Sequence, residues 1–456
     1  MAYKSTLAKM PSYLTKEHFK DQMGIDDEYK PITSAKTVHY FTNEHYNQQI
    51  QLILKASEVA QKKIDYSTAH DEHILYAIEI VEKFLRKSGR ICYGGQAINA
   101  HLPESYKIYD PTYSIPDYDV FTPSPLDDID YLVDLLQKAG FEEISIREGM
   151  HEGTTKIYVD YVPVLDLTAI HPRIYKTLYK RSAIFDRIHY LDANLLRMLM
   201  HLELSRPRGQ VTRWSKVFER LMIFNEFVPL KPCAVRNKDI AITANHVTII
   251  INFIIKNKSI FAGADLIDFY ESSLHIKDTN LHITSKKPII FFSSHSYDDA
   301  VKLVSQLKSI TYHRKHKFSI QTVSIHKTDM IPYFTLIKYG KYIIACIIEY
   351  SACHSYVTVQ SSMGILKIAS MDTLITLYFS LGLVHTPLFN IGSMECMASK
   401  LVEISMKSRY KHDNYIFPFI SVKCSGYQAT LPSLIRAKVN RITQKKRVIN
   451  RKTYKN

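Results

Sequence analysis

The chain has 456 residues, a formal net charge of +15 and a pI of about 9.2, with 46% hydrophobic and 23% charged residues. That is long enough for two or three domains with real cores and ordinary for a soluble globular protein. Met1–Lys20 lacks the apolar core of a signal peptide, and the most apolar runs, Val247–Ile255 and Tyr342–Ile348, fall far short of a membrane span. None of the six cysteines forms a CxxC pair, so a structural zinc site is not expected and reduced thiols are.

In chain order, residues 1–65 read as a polar, lysine-rich arm with short helices and prolines at Pro11 and Pro31. His70–Ser88 reads as an amphipathic helix, with Ile74, Ile78, Val81, Phe84 and Leu85 at helical spacing and Gly89 as its stop. Arg90–Tyr93 follows as a short strand, Gly94-Gly95 as a turn and Gln96–Leu102 as a helix. A loop carrying Pro103, Pro111 and Pro116 then leads into a strand over Asp117–Phe121. Pro125 opens a helix with Leu126, Ile129, Val133 and Leu136 on one face, and Gly140 ends it. Phe141–Arg147 and Thr155–Thr168 read as strands. This order describes an α/β (α+β) unit with a mixed sheet. Two helices, Leu191–Leu204 and Arg213–Phe227, come next. From Ala244 the α/β pattern returns, with strands near Pro288–Phe292 and Tyr342–Glu349 and a helix over Ser296–Lys308.

The chemistry concentrates in the first half. Asp117 and Asp119 are two apart on a strand, so both carboxylates point to one face. Two like charges that close are costly unless a cation neutralises them. A third carboxylate is expected to complete the site, and Asp160 and Asp166 are the candidates. Asp166 is preferred, because it is a lone charge within Val164–Leu167 and a buried charge is usually paired or functional. At a strand-to-helix turn, Gly94-Gly95 lets backbone N–H groups approach a phosphate. Together these features outline a two-metal nucleotidyl-transfer site with Mg²⁺ or Mn²⁺.

Three sets of residues carry that combination: Ile91-Cys92-Tyr93-Gly94-Gly95-Gln96-Ala97-Ile98-Asn99, Pro116-Asp117-Tyr118-Asp119-Val120-Phe121 and Val164-Leu165-Asp166-Leu167. In them the chain resembles the DNA polymerase β-like nucleotidyltransferase superfamily, and within it the poly(A) polymerase catalytic subunits of large DNA viruses. These are the poxvirus, asfarvirus and giant mimivirus-like enzymes. Glu203–Val217 resembles a segment of the giant-virus group, and the likeness covers roughly residues 70–310. The resemblance implies addition of AMP from ATP to an RNA 3′ end, as in mRNA polyadenylation. It assigns two metal ions to Asp117, Asp119 and Asp166, and the nucleotide to Gly94, Gly95 and Gln96. It further implies a degenerate second nucleotidyltransferase-like domain, a homodimer without a membrane anchor, and a place in the virion and the host-cytoplasmic viral factory. Two departures stand out. Many superfamily members carry Gly-Ser where this chain has Gly94-Gly95, and the gap from Gly95 to Asp117 (117 − 95 = 22 positions) is longer than usual in the superfamily. The domains expected are an arm (1–65), a catalytic domain (66–185), a helical segment (186–243), a C-terminal α/β domain (244–433) and a basic tail (434–456). Rival readings are a CCA- or U-adding transferase and an inactive RNA-binding scaffold.

Arg206, Arg208, Arg213 and Lys216 surround a helix start. They suit a triphosphate or RNA backbone, or equally are helix-connection residues with salt-bridge partners. Arg206, Arg208 and Lys216 are the nucleotide-binding candidates. Trp214 reads as core. Tyr312–Lys317 is a second basic patch, an RNA track or a solvated turn. The nine basic residues from Arg436 to Lys455, with no acid among them, fit RNA binding or a solvated tail. Arg441, Lys445, Lys446, Arg447, Arg451 and Lys452 are the RNA-binding candidates.

Overall fold

The computed structural model describes residues 43–230, 233, 243–273, 281–283, 287–310, 317–323, 330–384, 391–410 and 421–453. Residues 43–69 form one 27-residue helix, α1 (Asn43–Ala69), in place of the short helices that the sequence suggests. Up to Ser67 the chain is a unit by itself, and Thr68 onward is a second. The rest of the expected arm, residues 1–42, lies outside the described residues.

The second unit opens with α2 (Glu72–Ser88), and its ends follow from its sequence. Asp71 accepts hydrogen bonds from the backbone N–H groups of His73 and Ile74, and Gly89, at φ 62, turns the chain out of the helix in the left-handed region. Ile74, Ala77, Ile78, Val81, Phe84 and Leu85 form its buried face. The chain continues through β1 (Ile91–Tyr93), α3 (Gly94–His101), β2 (Tyr118–Thr122), α4 (Pro125–Lys138), β3 (Ile144–Glu148), β4 (Thr154–Val159) and β5 (Val162–Ala169). The run Thr155–Thr168 is therefore a hairpin. Asp160 and Tyr161 turn it, both at positive φ (46° and 66°), the conformation that matches strand twist in a two-residue turn. Asp160 is a common turn residue, but the tyrosine after it stands where such turns usually carry glycine, so the turn signal was weak.

Between Glu72 and Tyr190, three helices or strands escaped the sequence reading: α5 (Pro172–Tyr179) and the short hairpin β6 (Ala183–Phe185) and β7 (Ile188–Tyr190). Strands of three residues are too brief to show a period. The seven strands order β3-β4-β5-β2-β1-β7-β6 in a mixed sheet, with β5 parallel to β2 and β7 parallel to β1. Helices α6 (Ala193–Leu204) and α7 (Trp214–Phe227) follow.

After α8 (Ala244–Lys256), an eight-stranded sheet is built from β8 (Ile260–Phe261), β9 (Ile289–Ser293), β10 (Phe318–Val323), β11 (Phe334–Tyr339), β12 (Tyr342–Glu349), β13 (His354–Ser361), β14 (Gly364–Ala369) and β15 (Cys424–Ser425). Its order, β10-β11-β12-β9-β8-β14-β13-β15, repeats that of the first sheet with one strand added. Each parallel and antiparallel pairing recurs: β12 runs parallel to β9, β9 antiparallel to β8, and β8 parallel to β14. The helices recur as α9 (Asp265–Ser273), α10 (Ser296–Ile310) and α11 (Met371–Leu381), and are followed by α12 (Ile391–Tyr410) and α13 (Leu431–Thr453). The fold is a mixed α/β one carrying two related sheets.

The register shows what differs between them. Tyr118 pairs with Leu165 in the first sheet and Ile289 with Ala345 in the second, each pair at the same place in its strands. Pro288, Ile290 and Cys346 then stand where the first sheet has Asp117, Asp119 and Asp166. The second sheet keeps the pairing and lacks the carboxylates.

The two sheets are joined through α6 and α11. His201 Nδ1 meets Asp372 Oδ1 at 2.7 Å with both side chains buried, and the backbone N–H of Ser355 donates to the Ser205 carbonyl at 2.9 Å. The cysteines correct the reading of reduced thiols. Cys233–Cys396 and Cys353–Cys424 are disulfides, with Cα–Cα distances of 5.7 and 5.3 Å, while Cys92 and Cys346 are buried free thiols. Partners 163 and 71 residues apart leave no local signal.

Asp372→Ala removes a buried partner of His201 across the joint between the sheets. It should destabilise the protein by about 3 kcal/mol, and Asp372→Asn by less. Equilibrium denaturation measures both, and an Asp372→Ala variant as stable as the wild type would contradict this.

Candidate active site

The parallel pairing of β2 and β5 sets Asp119 directly opposite Asp166. Asp117 precedes β2 and is two residues from Asp119, so three carboxylates gather at the end of two adjacent strands. They differ in depth: Asp166 is buried at 7% exposure, Asp119 is half-buried, and Asp117 is at the open mouth. Gly94 lies against them. It has φ +71, and a Cβ there would collide with Asp119 Oδ2, so only glycine admits both the turn and the carboxylate. Helix α3 starts at this residue, which sets the helix N-terminus beside Asp119. At Gly95 a Cβ would collide with the hydroxyl of Tyr109.

Lys156, on β4 beside β5, forms an ion pair with Asp166 Oδ2. The other oxygen, Oδ1, is buried with no hydrogen-bond partner. Burial, then the charges of Asp117 and Asp166, push the Asp119 carboxyl up to about 7. Asp117 is raised for the same reasons, by the crowding of the cleft walls and then by Asp166, even though its own surface is open to water. Lys156 keeps its charge against burial because the hydrogen bond and charge of Asp166 outweigh it. Among the described residues, no group of three His, Cys, Asp or Glu side chains is already converged at metal-binding spacing. The donor set still fits a hard divalent cation: three carboxylates, one of them with a buried oxygen that has nothing to bind.

Opposite the carboxylates stands a basic face formed by α7 and the residue before it. Arg213, Lys216 and Arg220 are three and four residues apart, the spacing of one helix side. Lys216 and Arg213 lower the pKa of Asp117 and Asp119 respectively, and Arg220 and Arg213 in turn lower that of Lys216. Arg220 Nη2 donates to the Tyr109 hydroxyl at 2.9 Å.

The other candidates are spread more widely. Gln96 is half-buried in the first turn of α3 and Arg208 is exposed. Arg206 sits near His354 of the second sheet, whose pKa falls to about 3 through burial and then this charge. The charges that lower Asp117 and Asp119 are those of Lys156, Lys216 and Arg213. Asp160 is in the β4–β5 turn, 2.9 Å from His73. Trp214 packs against the core and donates to the Glu203 carbonyl at 3.0 Å. The expected tail is the helix α13 through Thr453, and Arg441 reaches Glu148 of β3 and the Met150 carbonyl, each at 3.4 Å. Lys445, Lys446, Arg447, Arg451 and Lys452 lie on that helix, and their side chains are outside the described residues, as are residues 311–316 of the second basic patch.

Sequence reasoning passed over Lys156, Arg220 and Tyr109. The three-and-four spacing of Arg213, Lys216 and Arg220 was a usable signal. Lys156 and Tyr109 had none, because a hairpin and a proline-rich loop bring them in.

Residues 79–210 match the sequence profile of the family described as poly(A) polymerase catalytic subunit. A protein of African swine fever virus (strain Badajoz 1971 Vero-adapted), provisionally named a poly(A) polymerase catalytic subunit, is 29% identical over 187 residues, which is 39% of this chain and 38% of the relative. One of Acanthamoeba polyphaga mimivirus with the same provisional name is 26% identical over 175 residues, 37% of this chain and 29% of the relative. The matched stretches thus span well under half of either relative. The crystal structure of the Megavirus polyadenylate synthase superposes with a TM-score of 0.69, covering 92% of this chain and 86% of that one at 17% identity. The two share a fold.

The raised carboxyl gives a signed prediction. Asp119 is pushed from 3.8 to about 7, so the cation-free folded state binds more protons than the unfolded chain across that window. Its contribution to stability therefore grows as pH falls from about 7 toward 4 and is lost above 7. Asp119→Asn should stabilise the protein in a chelating buffer at pH 8, by about 2 kcal/mol, and much less at pH 5. Urea denaturation at the two pH values checks this, and destabilisation at pH 8 would contradict it.

Proposed function

We propose that the chain is a polynucleotide adenylyltransferase that adds AMP from ATP to RNA 3′ ends without a template. The observation that carries this reading is the three-carboxylate cluster facing a basic helix beside a glycine turn. The provisional names of the matched relatives supply the choice of ATP and RNA.

In this reading Asp117, Asp119 and Asp166 hold two divalent cations, Mg²⁺ or Mn²⁺, which when bound neutralise phosphate charge and lower the pKa of the attacking hydroxyl. Asp166, deepest in the cleft, orients the RNA 3′ hydroxyl toward the α-phosphate. The oxygen of that hydroxyl bonds to phosphorus as its proton passes to the Asp166 carboxylate, the bond to the β-phosphate oxygen breaks, and pyrophosphate leaves. Backbone N–H groups at Gly94 and Gly95 bind phosphate oxygens, aided by the helix terminus. Lys216 and its neighbours Arg213 and Arg220 hold the triphosphate as it gains charge. Gln96, Arg206 and Arg208 complete the nucleotide-binding candidates.

The catalytic domain of the proposal is 66–185, with the helical segment 186–243 against it and 244–433 as a non-catalytic counterpart. Helix α13 binds RNA backbone through Arg441, Lys445, Lys446, Arg447, Arg451 and Lys452, contacts that read no base and let a uniform product slide. A homodimer and a place in viral factories and virions rest on the resemblance alone. Light scattering at micromolar concentration tests the first, and fractionation of infected cells the second. No helix among the described residues is long and apolar enough to cross a membrane.

The test is primer extension with each NTP supplied separately in Mg²⁺ or Mn²⁺. ATP alone should give long products. Asp117→Ala, Asp119→Ala and Asp166→Ala should each lower extension by about a thousandfold or more while RNA binding persists. Asp160→Ala, a turn residue, should stay within about threefold. An active Asp166→Ala with a dead Asp160→Ala would overturn the choice of third carboxylate, and incorporation of CTP or UTP in place of ATP would overturn the substrate.

A further inference from the structure

We infer that the Tyr109 hydroxyl, held by Arg220, is a substrate-phosphate donor, and that position 95 is glycine because this hydroxyl takes the place of its side chain. The inference rests on the nucleotidyl-transfer reading and names a binding residue within it.

Three observations carry it. First, a Cβ built on Gly95 would collide with the Tyr109 hydroxyl and lie 3.0 and 3.1 Å from its ring carbons Cζ and Cε2. Gly95 is helical and has no left-handed backbone to explain the missing side chain, so space alone excludes one. The volume where a residue at the start of α3 would project a short side chain is filled by a phenol oxygen from a distant loop.

Second, the loop is fastened so that this oxygen stays put. Asn99 Oδ1, on α3, accepts from the backbone N–H of Ile108 at 2.9 Å and of Tyr109 at 3.4 Å. Arg220 donates to the hydroxyl at 2.9 Å and stacks its guanidinium over the ring at 5.3 Å.

Third, the hydrogen-bond directions leave the hydroxyl proton available. An arginine only donates, so the phenol oxygen is the acceptor in that contact, and its own O–H is turned elsewhere. Beside it are the N–H groups at the start of α3, and behind it the basic face of α7, where Arg220 depresses the pKa of Lys216. Crowded like charges next to an oriented O–H suit an anion with several oxygens, which is what a triphosphate presents. The hydroxyl that a serine at 95 would offer is supplied instead by Tyr109.

The experiment uses the full chain and compares wild type, Tyr109→Phe, Gly95→Ser and the double variant Gly95→Ser/Tyr109→Ala. Inorganic tripolyphosphate and adenosine are titrated as separate probes by calorimetry, and KM for ATP and for RNA primer is measured alongside. Tyr109→Phe, which keeps the ring and its packing, should weaken tripolyphosphate about tenfold or more and raise KM for ATP similarly, with adenosine binding and primer KM unchanged. Gly95→Ser alone should lose affinity by steric conflict, and the double variant should regain tripolyphosphate binding to within about threefold of wild type. Equal tripolyphosphate binding by wild type and Tyr109→Phe would overturn the inference, as would a double variant no better than Gly95→Ser although folded. Failure of wild type to extend RNA with ATP, with the tripolyphosphate difference intact, would instead strike at the proposed function and leave the anion site standing.

Discussion

Everything at the candidate site depends on one pairing, the parallel register that sets Asp119 opposite Asp166 across β2 and β5. It brings carboxylates 47 positions apart (166 − 119 = 47) into a cluster in which burial and then mutual repulsion push Asp119 up to about 7. Folding such a cluster opposes stability, and the surroundings offset it in part. Lys156 pairs with the deepest carboxylate, α3 starts beside Asp119, and Lys216 of α7 and Arg213 just before it act on Asp117 and Asp119. A site that stays incompletely neutralised by its own protein is one prepared for added positive charge.

The second sheet is the internal control. Its strands follow the same order and pair in the same register, but Pro288, Ile290 and Cys346 occupy the carboxylate positions. Ile290 and Cys346 are buried there without charge, and Cys346 has its thiol pKa pushed up by burial alone. The scaffold thus tolerates either solution. The apolar one is the easier to stabilise, so the carboxylates of the first sheet are explained by chemistry and not by folding. The joint through His201, Asp372 and Ser205 ties the two sheets side by side. It draws Arg206 toward His354 and leaves Arg213, Lys216 and Arg220 to face the cleft.

How far the sequence reached depends on the range of each signal. Asp117 and Asp119 share a face because strand alternation is local, and Asp166 stood out as one charge in an apolar run. The end of α2 at Gly89 was legible for the same reason. What failed was long-range or unmarked. The hairpin turn at Asp160–Tyr161 carries an aspartate but no glycine, so the lysine that it brings beside Asp166 went unseen. Tyr109 reaches Gly95 across a proline-rich loop, and the disulfide partners are further apart still. The duplication was nearly illegible, since what recurs is hydrogen-bond register and not residue identity.

The central claim is that Asp117, Asp119 and Asp166 form one cation-binding centre. Anomalous diffraction from crystals grown with Mn²⁺ and a non-hydrolysable ATP analogue tests it most directly. The account predicts manganese peaks in inner-sphere contact with these three carboxylates, next to the triphosphate, with Lys156 displaced from Asp166. Manganese bound only elsewhere, with Lys156 still paired to Asp166 in the nucleotide complex, would contradict it.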